Sequence, residues 1–201
     1  MKNIAIFVII AIVAVLLFAL TKWKQAQRAS KADDYFEKQY GALGKTTDKI
    51  LSHEDTNSTY KVLGALHYRI GQKAEARGER ILTDTERRLL AAYWVEAEVN
   101  NGGFDQYFFN SAGDNAEAAL SGLKEMGADG AAALLERAMA VFPGGKPPAD
   151  RFKRQEVMEQ IAGQSKPVWE KCDSEFYKLT ESISDLSLAY AKKKRAEIVL
   201  P

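Results

Sequence analysis

The chain has 201 residues, with 28 lysine and arginine side chains against 27 aspartate and glutamate side chains. Five of the bases and none of the acids fall in residues 1–31, so the remainder has a net charge near −4. Between residues 89 and 129 seven acids accompany one base, Lys124. This excess disfavours direct nucleic-acid binding, which requires a basic groove or helix. The only cysteine, Cys172, excludes an intrachain disulfide.

The N-terminal segment from Ile4 to Leu20 is an uncharged run of isoleucine, valine, alanine, leucine and phenylalanine. As a helix it would be roughly 25 Å long, at the short end of a bilayer span. Trp23 and Lys24 follow it, and both residue types are common at membrane–water interfaces. The segment predicts an uncleaved transmembrane anchor over residues 1–22, and hence a single-pass membrane protein.

Two other interpretations of this segment fit its surroundings less well. A cleaved signal peptide has small residues soon after its apolar region, but the nearest small pair, Ser30 and Ala32, lies well downstream. A buried core helix rarely begins so early in a chain without a polar face. More basic residues follow the run than precede it, so the positive-inside rule predicts that the domain faces the cytoplasm.

The rest of the chain predicts helices only. Residues 23–58 are charged and then polar, with Gly41 and Gly44, which predicts a juxtamembrane helix and a linker. Residues 59–201 have apolar side chains at helical spacing and no β alternation of useful length. The predicted fold class is all-α, an N-terminal transmembrane helix followed by a single helical-bundle-like domain. Its predicted helices span about residues 60 to 71 or 78, 83–100, 103–110, 115–126, 129–142, 150–162 and 167–198.

A few residues mark the predicted helix ends. Thr83 and Asp84 offer an N-cap with Glu86 in the first turn. Gly127 ends a helix, and three prolines in residues 143–148 make a clear break. Pro167 fits the first turn of a long final helix.

Residues 100–114, called here the signature segment, are unusually rich in side-chain amides, aromatic rings and glycines. Apolar residues at helical spacing precede and follow the segment, so it joins two amphipathic helices. Gly102 or Gly103 can adopt the left-handed conformation that ends the first helix. Asp114 or Asn115 can cap the start of the next one.

A resemblance to the DNA mimic protein family rests on the run EVNNGGFDQYFFNSAG from Glu98 to Gly113. Leu120, Gly127-Ala128 and the segment from Leu134 to Ala138 extend the similarity. The resemblance implies an all-α fold. From the best-studied member, it also implies an acidic surface that imitates DNA and occupies a transcription regulator.

The candidate site residues fall into two sets. Amides and turn residues at helix ends can bind backbone groups, and aromatic residues at i, i+3 and i+4 can share a core-facing stripe. This structural set is Asn101, Gly102, Gly103, Phe104, Gln106, Tyr107, Asn110, Ser111 and Gly113. The predicted protein-binding acidic face, which includes one exposed aromatic ring, is Glu98, Asp105, Phe109, Asp114 and Glu117.

The sequence therefore predicts a membrane-anchored, non-catalytic helical domain that binds another protein through this acidic face. Mimicry implies a basic DNA-binding protein as the partner. Neither a cofactor nor a metal ion is expected, and a homodimer is an open possibility. The alternative is a small-ligand-binding or hydrolytic enzyme that uses Glu98, Asn101, Asp105 and Gln106. Those four groups would have to converge in a concave pocket, and no established catalytic motif accompanies them.

Overall fold

A computed structural model describes residues 30–200 of the chain. These residues form helices joined by turns, with no strand among them, which confirms the all-α prediction. Residues 30–40 are helical (α1). The helices that follow are α2 (Thr47–Leu51), α3 (Thr59–Arg77), α4 (Asp84–Phe109), α5 (Ala116–Met126), α6 (Asp129–Met139), α7 (Arg151–Phe176) and α8 (Ile183–Lys193).

The chain divides into two compact units, Met1–Ala42 and Leu43–Pro201. In the first unit, the described helix α1 is exposed along almost its whole length. The second unit contains α2 to α8 and an apolar core that these helices share. The candidate site lies in this second unit.

The prediction of a single-pass membrane protein is corrected here. The segment from Ile4 to Leu20, on which the anchor was predicted, lies outside the described residues. Within residues 30–200, no helix combines the length and the apolarity that crossing a bilayer requires. Charged side chains interrupt the apolar runs of the long helices α3, α4 and α7, so none of the three is apolar on all sides.

α4 is the central helix of the second unit, and it packs against α3, α5, α7 and α8. Its core-facing residues recur every three or four positions, which places them in one stripe. Leu89, Ala92, Val95 and Val99 form this stripe and are fully buried. α4 therefore has one face in the core and presents its other faces to the site described below.

The start of α4 is the predicted one. The Thr83 hydroxyl accepts a hydrogen bond from the Glu86 N–H at 3.1 Å, and the Glu86 carboxylate accepts one from the Thr83 N–H at 2.9 Å. This reciprocal capping box satisfies backbone donors that have no partner inside the helix. The expected N-cap is thus confirmed.

Glu86 also fixes the C-terminal tail of the chain. Its buried carboxylate accepts from Lys73 Nζ at 2.9 and 2.7 Å and from the Val199 N–H at 2.8 Å. Lys73 also donates to the Val199 carbonyl at 2.8 Å. A buried ion pair persists only when its remaining donors and acceptors are satisfied, and here the tail satisfies them. The residues after α8 are therefore part of the packed domain.

α7 differs from the prediction, which ended one helix at Gly163 and began another at Pro167. The helix continues through both residues. Proline lacks the N–H that would bind the carbonyl four residues earlier, but Gly163 and Pro167 are exposed, so water can hydrate that carbonyl. Ser165, which lies between these two residues, and Trp169, which follows them, are both buried. Packing of these neighbours overrides the local helix-breaking tendency.

The predicted long final helix is in fact interrupted. α7 ends at Phe176, and α8 begins after Ser182, whose hydroxyl accepts from the Asp185 N–H at 3.1 Å. The connecting residues include Glu181, whose carboxylate accepts from the Gly130 and Ala131 N–H groups at 3.2 and 2.6 Å. The interruption thus supplies an N-terminal cap for α6 from a distant part of the chain.

The buried ion pair gives a first stability prediction. Lys73→Met should lower the free energy of unfolding by about 3–5 kcal/mol, because it leaves the Glu86 carboxylate buried without its counter-charge. The double variant Lys73→Met/Glu86→Gln should lose less than the single one, since glutamine is neutral and still accepts hydrogen bonds. Urea denaturation measures both values. Wild-type stability in Lys73→Met would contradict this account of the tail.

Candidate functional site

The signature segment begins with a kink inside α4. Gly102 has φ −162° and ψ 21°, and Gly103 has φ 76° and ψ −175°. The positive φ of Gly103 combined with an extended ψ is readily adopted only by glycine. The kink separates the long N-terminal part of α4 from residues 104–109, close to the point where the sequence predicts a helix end.

Two side chains from the end of α7 bind the backbone at the kink. Asp173 Oδ1 accepts from the Phe104 N–H at 2.8 Å, and the Tyr177 hydroxyl donates to the Val99 carbonyl at 2.9 Å. These contacts satisfy backbone groups beside the non-helical glycines. A carboxylate at the start of residues 104–109 also complements the positive end of the helix dipole.

Asp173 belongs to an acidic group around the kink. Burial raises the pKa of its carboxyl, the bond from the Phe104 N–H lowers it, and the charges of Asp105 and Glu170 raise it further. Burial, followed by the charge of Asp173, raises the pKa of Tyr177. Asp105, Glu170 and Asp173 are called here the kink acids, because the charges of Asp105 and Glu170 both act on Asp173 beside the kink.

Glu98 joins the two parts of α4. Its Oε2 accepts from Gln106 Nε2 at 2.6 Å and from Asn110 Nδ2 at 2.9 Å. Glu98 precedes the kink and both amides follow it, so the two bonds cross the kink. Asn101 and Ser111, which belong to the same predicted structural set, are both exposed.

The aromatic residues after the kink differ in how deeply they are buried, as their spacing predicts. Phe104, Tyr107 and Phe108 are fully buried, whereas Phe109 is 49% exposed. Burial raises the pKa of the Tyr107 phenol above its usual value. The guanidinium of Arg151 lies 5.9 Å from the centroid of the Phe109 ring, within the range of a cation–π contact. Phe109 is therefore an exposed aromatic ring with a base on one side.

Arg154, at the start of α7, holds the other end of the signature segment. Its side chain is fully buried. Its guanidinium donates to four carbonyls and one carboxylate: Phe108 at 2.6 Å, Asn110 at 2.8 Å, Pro148 at 2.7 Å, Ala149 at 3.3 Å and Asp114 at 2.6 Å. The last carbonyls of a helix lack intrahelical donors and attract positive charge. At the end of α4, Arg154 supplies both the missing hydrogen-bond donors and the positive charge.

Gly113 leaves room for this arginine. A Cβ atom at that position would lie 2.9 Å from Arg154 Nε and 3.1 Å from Phe108 Cα. The glycine of the signature segment is thus required by a close contact. The sequence interpretation missed Arg154, since no local pattern distinguishes it from its neighbours Arg151 and Lys153 and its α4 partners lie more than 40 residues earlier.

The predicted acidic face contains acids of two kinds. Asp114 pairs with the buried guanidinium of Arg154, and Glu117 pairs with Lys146 Nζ at 3.0 Å. Asp105 is exposed and has no hydrogen bond or ion pair with any residue from 30 to 200. The charge of Asp105 is therefore uncompensated, whereas those of Asp114 and Glu117 are balanced inside the domain.

The four residues of the enzymatic alternative do not line one cavity. A cavity of about 250 Å³ between α3, α4 and the turn after α4 has Glu98 and Ser111 in its wall, but not Asn101, Asp105 or Gln106. In the part of the chain that the structure describes, no three His, Cys, Asp or Glu side chains are close enough to hold a metal ion. The geometry gives no specific support to catalysis here.

A protein-family model described as DMP19-like protein matches residues 80–194, more than half of the chain. The chain belongs to this DNA mimic family. The match includes α4 to α8 and the whole signature segment, whereas α1 to α3 and the segment predicted as an anchor lie outside it. No significant match was found among curated proteins or solved structures.

The kink gives a second prediction. Gly103→Ala should lower the free energy of unfolding by at least about 1 kcal/mol, because alanine strains a positive φ and its Cβ would lie 2.7 Å from Asp173 Cγ. Gly163→Ala is the matched control, in a helix with open space around it. That substitution should stabilise by about 0.5–1 kcal/mol. Thermal and urea unfolding compare the two, and equal effects would contradict a special requirement at Gly103.

The buried arginine gives a third prediction. Arg154→Lys should lower the free energy of unfolding by roughly 2–4 kcal/mol, because lysine keeps the charge but cannot supply the planar fork of donors that these acceptors require. Arg151→Lys, an exposed neighbour that donates to the Phe109 carbonyl at 3.1 Å, should cost less than about 1 kcal/mol. Urea denaturation distinguishes them, and similar losses would refute the importance assigned to Arg154.

Proposed function

We propose that this domain is a non-catalytic protein-interaction module that imitates DNA and binds the basic surface of a DNA-binding protein. Membership of the DMP19-like family supports interaction with a protein partner. The observation that favours a particular surface is the position of the kink acids. Asp105, Glu170 and Asp173 form no ion pair with any residue in the described range, so no neighbouring base there neutralises their negative charge.

The exposed ring of Phe109 adds an apolar contact to this surface. Phe109 lies four residues after Asp105, so both side chains share one face of residues 104–109. Exposed aromatic residues contribute strongly to protein interfaces when a partner covers them. The uncompensated charge of Asp105 on the same face attracts a basic partner and gives the association its salt dependence.

Asp114 and Glu117 contribute less to this proposal than the sequence predicts. Both have counter-charges inside the domain, in Arg154 and Lys146. Glu98 is half-buried and engaged with two amides. The proposed contact surface is therefore centred on Asp105 and Phe109, with Glu170 and Asp173 beside them.

The critical experiment asks whether DNA displaces the protein partner from this domain. Full-length protein is immobilised, proteins are bound at low salt, and elution uses double-stranded DNA of mixed sequence. A partner held through its DNA-binding surface should leave the column with DNA and with raised salt. Retained proteins that salt releases but DNA does not would contradict mimicry. Self-association stays a prediction, which sedimentation of the full-length chain tests separately.

A fourth prediction assigns the interaction to Asp105. Asp105→Asn should weaken binding of the DNA-displaced partner by up to about fivefold and reduce its salt dependence, as expected for one exposed charge pair. The domain should keep its stability within about 0.5 kcal/mol. Asp55→Asn removes the same charge from an exposed position outside the family match and should leave binding unchanged. If the two substitutions have equal effects in a binding titration, the partner does not bind the proposed contact surface around Asp105.

A further inference from the structure

A second cavity, unrelated to the proposed interaction surface, lies between α3, α4 and α8. Its volume is about 210 Å³. His67 from α3, Glu96 and Asn100 from α4, and Ser184 from α8 line it. The signature segment contributes only its first residue, Asn100, and the α3 side of the wall lies outside the family match.

His67 is the buried polar group of this cavity. It is 8% exposed, and neither ring nitrogen has a hydrogen-bond partner among residues 30–200. Burial lowers the pKa of His67 to about 4, so the ring is neutral near pH 7. A neutral imidazole offers one N–H donor and one acceptor nitrogen. A buried polar group without a partner is costly.

The charge in the wall is negative. Glu96 supplies a carboxylate that accepts from the Ser184 hydroxyl at 2.9 Å. Burial raises the pKa of Glu96, the Ser184 bond lowers it, and the nearby charge of Asp185 raises it. No lysine or arginine contributes to the wall. Glu96 in the wall, with the charge of Asp185 nearby, therefore disfavours an anion and favours a cation.

Aromatic rings flank these acceptors. The Tyr93 ring lies 4.5 Å from the His67 ring between centroids. Tyr60 and Tyr93 both line the cavity and remain 69% and 38% exposed. The face of a tyrosine ring attracts cations, and organic ammonium groups are often held between such rings and a carboxylate. The wall thus combines hydrogen-bond acceptors, aromatic faces and a negative charge.

We propose that this cavity binds a small organic cation, a primary ammonium or guanidinium group on a short apolar stem. Glu96 and the Asn100 side chain would accept its N–H groups, Tyr60 and Tyr93 would contact the stem and the charge, and the His67 ring would form part of the wall. A metal ion fits less well. Zinc prefers three or four protein ligands, and the described residues contain no group of three candidate ligands.

The test compares three probes of similar size on the full-length wild-type protein. These are n-butylammonium, n-butanol and n-butyrate, which differ in charge but share the same carbon chain. Calorimetric titration and the NMR shifts of the His67 and Tyr93 rings report binding. n-Butylammonium should bind at least about tenfold more tightly than either other probe, as expected for a hydrogen-bonded charge contact. Equal affinities, or no binding of n-butylammonium, would overturn the proposal.

Variants then locate the site. Glu96→Gln removes the charge and keeps an acceptor for Ser184, and it should weaken n-butylammonium binding by about tenfold. Asp84→Asn, an exposed residue at the start of the same helix and outside the cavity, should leave binding unchanged. Ala97→Leu, in the wall, should abolish binding by filling the space. If binding survives both Glu96→Gln and Ala97→Leu in folded protein, the assignment to this cavity is wrong.

The same chemistry occurs in free amines and in lysine side chains of proteins. A capped tripeptide, acetyl-Gly-Lys-Gly-amide, distinguishes these sources. Tighter binding of the tripeptide than of n-butylammonium would assign the cavity to a lysine of a bound protein, and weaker binding would assign it to a free amine. Either result requires that the Glu96→Gln variant lose affinity for the tighter probe. Retained affinity would refute the proposal.

Discussion

The buried guanidinium of Arg154 is the contact on which the signature segment depends. Near the end of α4 the Phe108 carbonyl is buried, and an unpaired buried carbonyl is costly. One planar side chain supplies donors to this carbonyl and that of Asn110, to the loop before α7 and to Asp114. Gly113 must lack a side chain for this arginine to fit. Much of the amide- and glycine-rich signature segment thus serves to accommodate Arg154, a base from a distant part of the chain.

α7 determines the geometry of both ends of residues 104–109. Arg154 holds the C-terminal end, and Asp173 binds the Phe104 N–H at the N-terminal end. This pairing places a positive group and a negative group at the ends that the helix dipole favours. Because α7 runs uninterrupted through Pro167, both contacts come from one helix. The proposed binding surface is consequently as rigid as the packing of α7 on α4.

The sequence predicts those features that depend on neighbouring residues. The capping box at Thr83, the helix end near Gly103 and the burial of the aromatic stripe all follow from spacing within a few positions. It does not predict contacts between residues far apart in the chain. Arg154 and Glu181 resemble ordinary surface charges in sequence, and only the folded topology brings them to the ends of α4 and α6. Pro167 lies inside α7 and does not begin a new helix for the same reason, since tertiary packing overrides its local preference.

Glu96 and Glu98 show how one helix serves two separate surfaces. Positions two apart on a helix point in different directions, and Val95 and Val99 fix which face enters the core. Glu98 is consequently turned toward the kink, where amides hold it, and Glu96 toward α8, where Ser184 and the second cavity lie. A charge change on one side leaves the core stripe intact. The second cavity also shares no lining residue with the proposed contact surface around Asp105 and Phe109, so a partner bound there does not have to compete with a cation bound between α3 and α8.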